Sequence, residues 1–292
     1  MKPVPSVVTK TYPQRGPLQQ FRFAESTAFS CFRCGAAKKS KLITIYNADW
    51  SNRLCNGCYG RLLSIYEIKV GTSSDDQRAE DLASGLLFAV SLDEQRRAEA
   101  LLKTFERRAE YLSAEALRLI STAEHVASRL QDDPQLEWSP AVIGLCKAVE
   151  VEIVGRILRP LAQLAVAADL SADKKDGDLG RVAGFCADRT RKPPELGAFA
   201  HFLQTSIHSE QRRQSSVLLR TFLRLVADWT GSNWLLDPKG LLSGLKALTT
   251  SYRNRAAHID ELSKQDYDGC RKLVLGSEGI LWSILLSTNR QK

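Results

Sequence analysis

The chain reads as mainly α, a large helical domain with a small cysteine-bearing module near its N-terminus. Three observations predict this. From Ser73 onward, apolar residues recur at three- and four-residue steps through stretches dense in Ala, Leu, Glu and Arg, the period of an amphipathic helix. In that part of the chain no group of neighbouring segments alternates apolar and polar residues as a half-buried sheet requires. Residues 21–70 hold four of the seven cysteines in two tight pairs, CFRC (Cys31, Cys34) and CNGC (Cys55, Cys58).

Taken in order, residues 1–20 are rich in Pro, Gln, Lys and Thr without periodicity, and predict a flexible basic arm. The cysteine module follows over 21–70. Ser73 and Ser74 before Asp75 and Asp76 predict a capped helix start. The texture beyond them predicts a long helical arm over 73–132, broken near Ser91–Asp93, as a coiled coil or a helical hairpin. QDDPQLEWSP (131–140) reads as a linker through its prolines and acids. Helical patterns at 140–169, 179–188, 195–209, 211–230, 239–258 and 263–288 make 138–292 one all-α domain, with DLSADKKDGD and RTRKPPE as loops.

A hydrophobic fraction of 43% beside 25% charged residues is that of a globular chain able to bury a core. The net charge of +8 is unevenly placed. Residues 1–70 carry 11 Lys and Arg against three acids, which leaves 30 of each sign for the rest. Such a patch is the footprint of a polyanion-binding element. The N-terminus has no apolar leader segment. No run approaches the ~18 apolar residues of a membrane span. With an odd cysteine count, these features predict a reducing cytoplasm and exclude a disulfide scaffold.

Two C-x2-C knuckles separated by twenty residues present four thiolates, the closed tetrahedral shell of a structural zinc ion. Catalysis at such an ion would need an open position, so Cys31, Cys34, Cys55 and Cys58 are expected to be structural ligands. Lys38, Lys39, Lys41, Arg53 and Arg61 are candidates for phosphate contact. Tyr46, Trp50 and Tyr59 are candidates for base stacking or for the mini-core of so small a domain; for Trp50 the mini-core is preferred. CxxCG followed by LCNxC at the start of a helix resembles treble-clef zinc fingers, in particular the GATA type, over 30–40 residues. No Trp–Arg element stands midway between the pairs, so the resemblance implies a metal-held nucleic-acid contact without sequence-specific DNA reading.

The second candidate site is SYRNRAAHIDELS, residues 251–263. Asn254 and His258 are four apart and share a helix face, whereas a straight helix displaces Arg253 by about 140° from His258. A bent helix end or a site shared between two subunits resolves that geometry. A histidine near a helix end is also an ordinary capping residue. An apolar helix ending in R-N-x3-H, a short polar link and a long closing helix resembles the HEPN superfamily of all-α domains. VIGLCKAVEVEIVGRILRPL resembles that superfamily's first helix, and the match covers 140–290.

The resemblance implies a metal-independent endoribonuclease acting as a homodimer, with paired motifs facing each other across the two-fold axis. His258 would serve as general base or acid, Arg253 would stabilise the charged phosphate, and Asn254 would position one of them. Glu150 is a candidate to orient the arginine; Glu152 lies on another face, so at most one of the two is expected to point inward. His125, His201 and His208 have no evident partners. Trp229, Trp234 and Trp282 read as core or dimer interface, and Cys146, Cys186 and Cys270 as buried thiols.

The leading reading is a zinc-finger-tethered ribonuclease acting on RNA, of a kind that often serves in defence or toxin systems with an antitoxin or activating partner. The alternative is a non-catalytic nucleic-acid-binding regulator, in contact with RNA or DNA, that dimerises through its bundle. A third reading is a nucleotide-binding partner of a separate enzyme, since no Gly-rich phosphate loop is present.

Overall fold

The computed structural model describes residues 7–130, 137–258 and 261–288. It is mostly helical, with a small antiparallel sheet at the N-terminal end. Strands β1 (Val8–Thr11), β2 (Leu18–Ser30), β3 (Ala37–Tyr46) and β4 (Asp49–Leu54) lie in sequential order. Residues 8–11 and 18–20 are therefore strand, which corrects the flexible arm expected over 1–20; residues 1–6 lie outside the described residues. The reason is pairing. Val8 lies opposite Phe23 and Thr11 opposite Phe21, so β2 orders a stretch whose own side chains are all exposed. A register shift between Arg22 and Thr27 interrupts the strand period of β2, which hides it from a pattern search. Asn47 and Ala48, both at positive φ (55° and 58°), make the tight turn from β3 to β4.

Helix α1 (Asn56–Val70) packs on the sheet through Leu18, Cys31, Tyr46, Leu54, Cys58 and Leu62. A separate cluster of Phe23, Phe29 and Ile43 forms with Phe21 alongside.

Next come α2 (Asp75–Phe88), α3 (Leu92–Phe105), a 3-10 turn at Arg107–Tyr111 and α4 (Ala114–Leu130). Ser74 caps α2 by accepting a hydrogen bond from the Gln77 amide, as the sequence predicts; the break expected near Ser91–Asp93 is the start of α3, which Ser91 opens with a reciprocal cap on Glu94. The independent arm does not form. Leu82 and Leu86 of α2 and Leu119, Ile120 and Ala123 of α4 belong to the same core as the C-terminal helices. Their apolar stripes need a partner, and the next helix supplies it.

That helix is α5 (Ser139–Ile153), continued by a π turn at Val154–Leu158 into α6 (Arg159–Leu164). Pro160 explains the π turn, because it lacks an N–H and its ring crowds the carbonyl four residues earlier. The expected linker at 131–140 stops short of Ser139 and Pro140, which already belong to α5; 131–136 lie outside the described residues. Twelve of the fifteen α5 residues are buried. Gly144 permits this: a Cβ there would lie 2.5 Å from Leu86 Cδ2 and 3.1 Å from Ala123 Cβ, so only glycine lets α2 and α4 close on α5.

The remaining helices are α7 (Gly180–Ala187), α8 (Leu196–His208), α9 (Glu210–Ser215), α10 (Val217–Ala227), α11 (Ser232–Leu236) and α12 (Leu241–Ala247). A second π turn, Leu248–Arg253, joins α12 to α13 (Asn254–Ala257). Helices α14 (Lys264–Leu275) and α15 (Ile280–Ser287) return to pack on α5. Trp138, Trp229 and Trp282 are buried in this core, as are Cys146, Cys186 and Cys270. Trp234 is partly buried against it, and His201 and His208 are exposed. No helix among the described residues is long and apolar enough to cross a membrane.

Candidate functional site

The first site is built by the turn after β2 and the start of α1. Cys31 directly follows β2, and its amide donates to the Ala36 carbonyl at 2.9 Å, while the Gly35 amide donates to the Cys31 carbonyl at 2.8 Å. Gly35 sits at φ +67°, a left-handed conformation that favours glycine, so the G of CFRCG is a geometric requirement of the knuckle. Cys55 is the N-cap of α1 and Cys58 lies in its first turn. The four Sγ atoms lie within 4.8 Å of one another, and those of Cys34 and Cys55 are 3.8 Å apart.

A tetrahedral ion with metal–sulfur bonds of about 2.3 Å spaces its sulfurs by about 3.8 Å, so the cluster could hold one metal ion. The Cys55 amide donates to Cys31 Sγ at 3.3 Å. Burial opposes ionisation of Cys31, but backbone N–H groups outweigh it and bring its thiol down to about 7. Burial, then the neighbouring thiols, push Cys58 up. Four crowded thiolates repel one another, and a divalent cation removes that repulsion.

The basic residues do not form one surface. Lys38, Lys39 and Lys41 are exposed along β3, while Arg53 is half-buried and donates from Nε to the Trp50 carbonyl at 2.9 Å. Arg61, on α1, faces a cleft on the side of the helical domain. Of the stacking candidates, Tyr46 is withdrawn. It is 1% exposed, and its hydroxyl donates to Glu261 at 2.7 Å. Tyr59 is half-buried. Trp50 is 42% exposed yet rests on Phe21, ring centroids 4.7 Å apart, so it both packs and faces solvent.

The second site sits where the α12–α13 helix ends. Arg253 closes the π turn and His258 leaves the helix in an extended conformation, φ −90° and ψ 178°. The 140° mismatch of a straight helix therefore does not apply, because His258 is no longer on the helix. Both side chains meet the first turn of α2. Arg253, 4% exposed, pairs through Nη2 with Asp76, and His258 Nε2 lies 3.1 Å from Asp75 Oδ2. Arg253 Nη1 donates to Asn254 Oδ1 at 3.4 Å, so Asn254 touches the arginine rather than the imidazole. Arg78 of α2 ties the elements together by donating to the Ala257 carbonyl at 3.4 Å.

Glu150, the residue expected to orient Arg253, lies within electrostatic reach of it, but its direct partner is another cation. Its carboxylate pairs with Lys147, which also reaches Glu80 at 2.7 Å, while Asp76 serves the arginine. Burial raises the Glu150 carboxyl, and Lys147 only partly offsets it. Nor is only one of the VEVE acids inward. Glu150 and Glu152 are both buried, because α5 is surrounded on all sides; Glu152 accepts from the Ser113 amide at 2.7 Å and pairs with Arg156.

The residues that sequence reasoning missed are Asp75 and Asp76. Their signal was present as SSDD, but it reads only as a helix cap until the fold brings α2 across 177 residues of sequence to Arg253. No family model, curated protein or solved structure matches this chain.

Proposed function

We propose that this protein is a nucleic-acid-cleaving enzyme of the metal-independent ribonuclease class, with its metal ion structural. More particularly, we read it as a HEPN-type endoribonuclease carrying a treble-clef-like zinc module. The observation that carries this reading is the gathering of Arg253, Asn254 and a half-exposed His258 at one helix end, with a carboxylate on the imidazole. In the proposed reaction the ribose 2′-oxygen attacks the adjacent phosphorus as His258 accepts its proton. The P–O5′ bond breaks, and the 5′-oxygen leaves with a proton from the second copy's site or from water. The products are a 2′,3′-cyclic phosphate and a 5′-hydroxyl. Asp75 would orient the imidazole, and Arg253 would stabilise charge on the phosphate once Asp76 releases it. Cys31, Cys34, Cys55 and Cys58 would hold a zinc ion, which would supply folding energy to the N-terminal module, whose lysines would capture RNA.

A second reading has its own support. Arg253 is nearly fully buried in an ion pair, which is also how a structural arginine of a non-catalytic, dimeric nucleic-acid-binding protein looks. RNA cleavage assays with wild type, Arg253→Ala and His258→Ala separate the two, run with brief EDTA exposure that leaves the structural ion in place. The ribonuclease reading expects EDTA-resistant cleavage, cyclic phosphate ends and loss of activity in both variants. Cleavage surviving in His258→Ala would overturn it.

A further inference from the structure

Between the cysteine module and the helical domain lies a cleft of about 990 Å³, lined by α1, α2 and α4. That volume is at the upper end for small-molecule sites. Its floor is apolar, with Phe32 and Ile65 on one wall and Leu86 and Val126 on the other. Among the described residues, two nitrogens buried in its lining, Arg33 Nη1 and His125 Nε2, have no hydrogen-bond partner; the Glu94 carboxylate stands 4.0 Å from His125 Nε2, beyond hydrogen-bond reach. Buried polar atoms are nearly always satisfied, so two such atoms on one cavity point to a missing polar group, one that offers an acceptor to Arg33.

The charges agree. Among the described residues, Arg33, Arg61 and Arg129 line the cleft against one carboxylate, that of Glu137, which is already engaged by Lys69 Nζ at 2.6 Å and the Ser139 amide at 2.8 Å. Arg129 shares Glu94, which stands outside the lining. Gly85 of α2 faces the open space: a Cβ built there meets nothing within 4 Å. The distance from Asp75 along α2 is about 15 Å, so this is not the Arg253–His258 site.

We infer that this cleft binds a nucleoside phosphate, its base against the apolar floor beside Arg33 and His125 and its phosphate on Arg61 and Arg129 at the rim. Arg33 lies within electrostatic reach of the Cys58 and Cys31 thiolates, which suits it to a base acceptor rather than the phosphate. Guanidinium groups hold phosphate through paired N–H donors and stack on base faces. The ligand can arrive as a free nucleotide or as one nucleotide of a bound RNA strand, and the inference does not depend on any RNA being cut.

The test is calorimetric titration of the full, zinc-loaded chain with AMP, GMP and UMP, and separately with a short single-stranded RNA carrying 2′-O-methyl groups to prevent cleavage. The expectation is saturable binding of a mononucleotide that weakens about tenfold in Arg61→Ala and again in His125→Ala. Gly85→Phe, which fills the cleft, should abolish it with an unchanged or raised melting temperature, since glycine is the poorer helix former. RNA binding lost in Gly85→Phe along with the mononucleotide assigns the cleft to a strand; RNA binding retained there assigns it to a free nucleotide. Absence of mononucleotide binding by wild type, or undiminished binding by Gly85→Phe, would overturn the inference.

Discussion

The two candidate sites are assembled in opposite ways. The cysteine cluster is local: its ligands lie within 28 consecutive residues, Cys31–Cys58, and a glycine-dependent knuckle and a helix start place them. The Arg253–His258 site is non-local, since two of its charged partners, Asp75 and Asp76, come from a helix far away in sequence. Local geometry can be read from spacing. A non-local partner is chosen by packing, and nothing in its own neighbourhood announces it.

The largest effect should come from breaking the local site. Cys58→Ser removes one of the four thiolates and, with zinc in the cluster as proposed, should cost the N-terminal module that ion's folding energy, ~10–16 kcal/mol for structural zinc in isolated fingers. The amides of β2 and β3 should then exchange rapidly while those of α5 stay protected, as hydrogen exchange would show. Protected strands in the variant would mean that the sheet stands without a metal ion.

Breaking the non-local site should cost less. Asp76→Ala leaves the Arg253 guanidinium buried without its ion-pair partner, with Asn254 on one nitrogen and Glu150 at longer range, a loss of about 3 kcal/mol in urea denaturation. Arg253→Met takes the charge away and should cost less than Asp76→Ala. The reverse ranking would show that the pair is not what holds α2 to α13.

A third experiment tests what brings the partners together. Gly144→Ala drives a methyl towards Leu86 and Ala123 and should destabilise the bundle by about 1–3 kcal/mol. If α2 is displaced as expected, NMR should also show the His258 imidazole losing its Asp75 contact. A fully stable variant with that contact intact would show that α2 tolerates a wider spacing.

The smallest effect belongs to a purely local feature, the cap of α3. The Ser91 hydroxyl, then its amide and Arg129, hold the Glu94 carboxyl down at about 2 against an ordinary 4.5. A carboxyl lowered on folding contributes stability that is complete above about 4.5 and is lost as pH falls towards about 2. The protection of the α3 amides, taken relative to their intrinsic exchange at each pH, should therefore fall between pH 4.5 and 2 in wild type, and Ser91→Ala should flatten that dependence.

Much of the fold was legible because helix period, caps and breakers are short-range signals. Ser74 starts its helix where predicted, the helical stretch breaks near Ser91 as expected, and the cysteines converge as their spacing implies. The strands were harder. β1 has no buried residue, and β2 changes register midway, so their order comes from hydrogen bonding to each other and to β3. Tyr46 looked available for stacking, yet it is buried between the sheet and α1, with Glu261 on its hydroxyl. Glu150 looked like the arginine's partner because it is charged on the right helix, but Lys147 one turn away is the nearer cation.

By itself the sequence determined a mostly helical chain, a four-cysteine cluster able to hold a metal ion, and a helix end loaded with Arg253, Asn254 and His258. These rest on contacts between residues close in the chain, where backbone geometry leaves few choices. Only the tertiary structure decided that residues 75–130 join the core, that Asp75 and Asp76 grip His258 and Arg253, and that a cleft opens between the cysteine module and α4. Those outcomes follow from which apolar faces bury one another around α5, and burial compares faces from the whole chain at once.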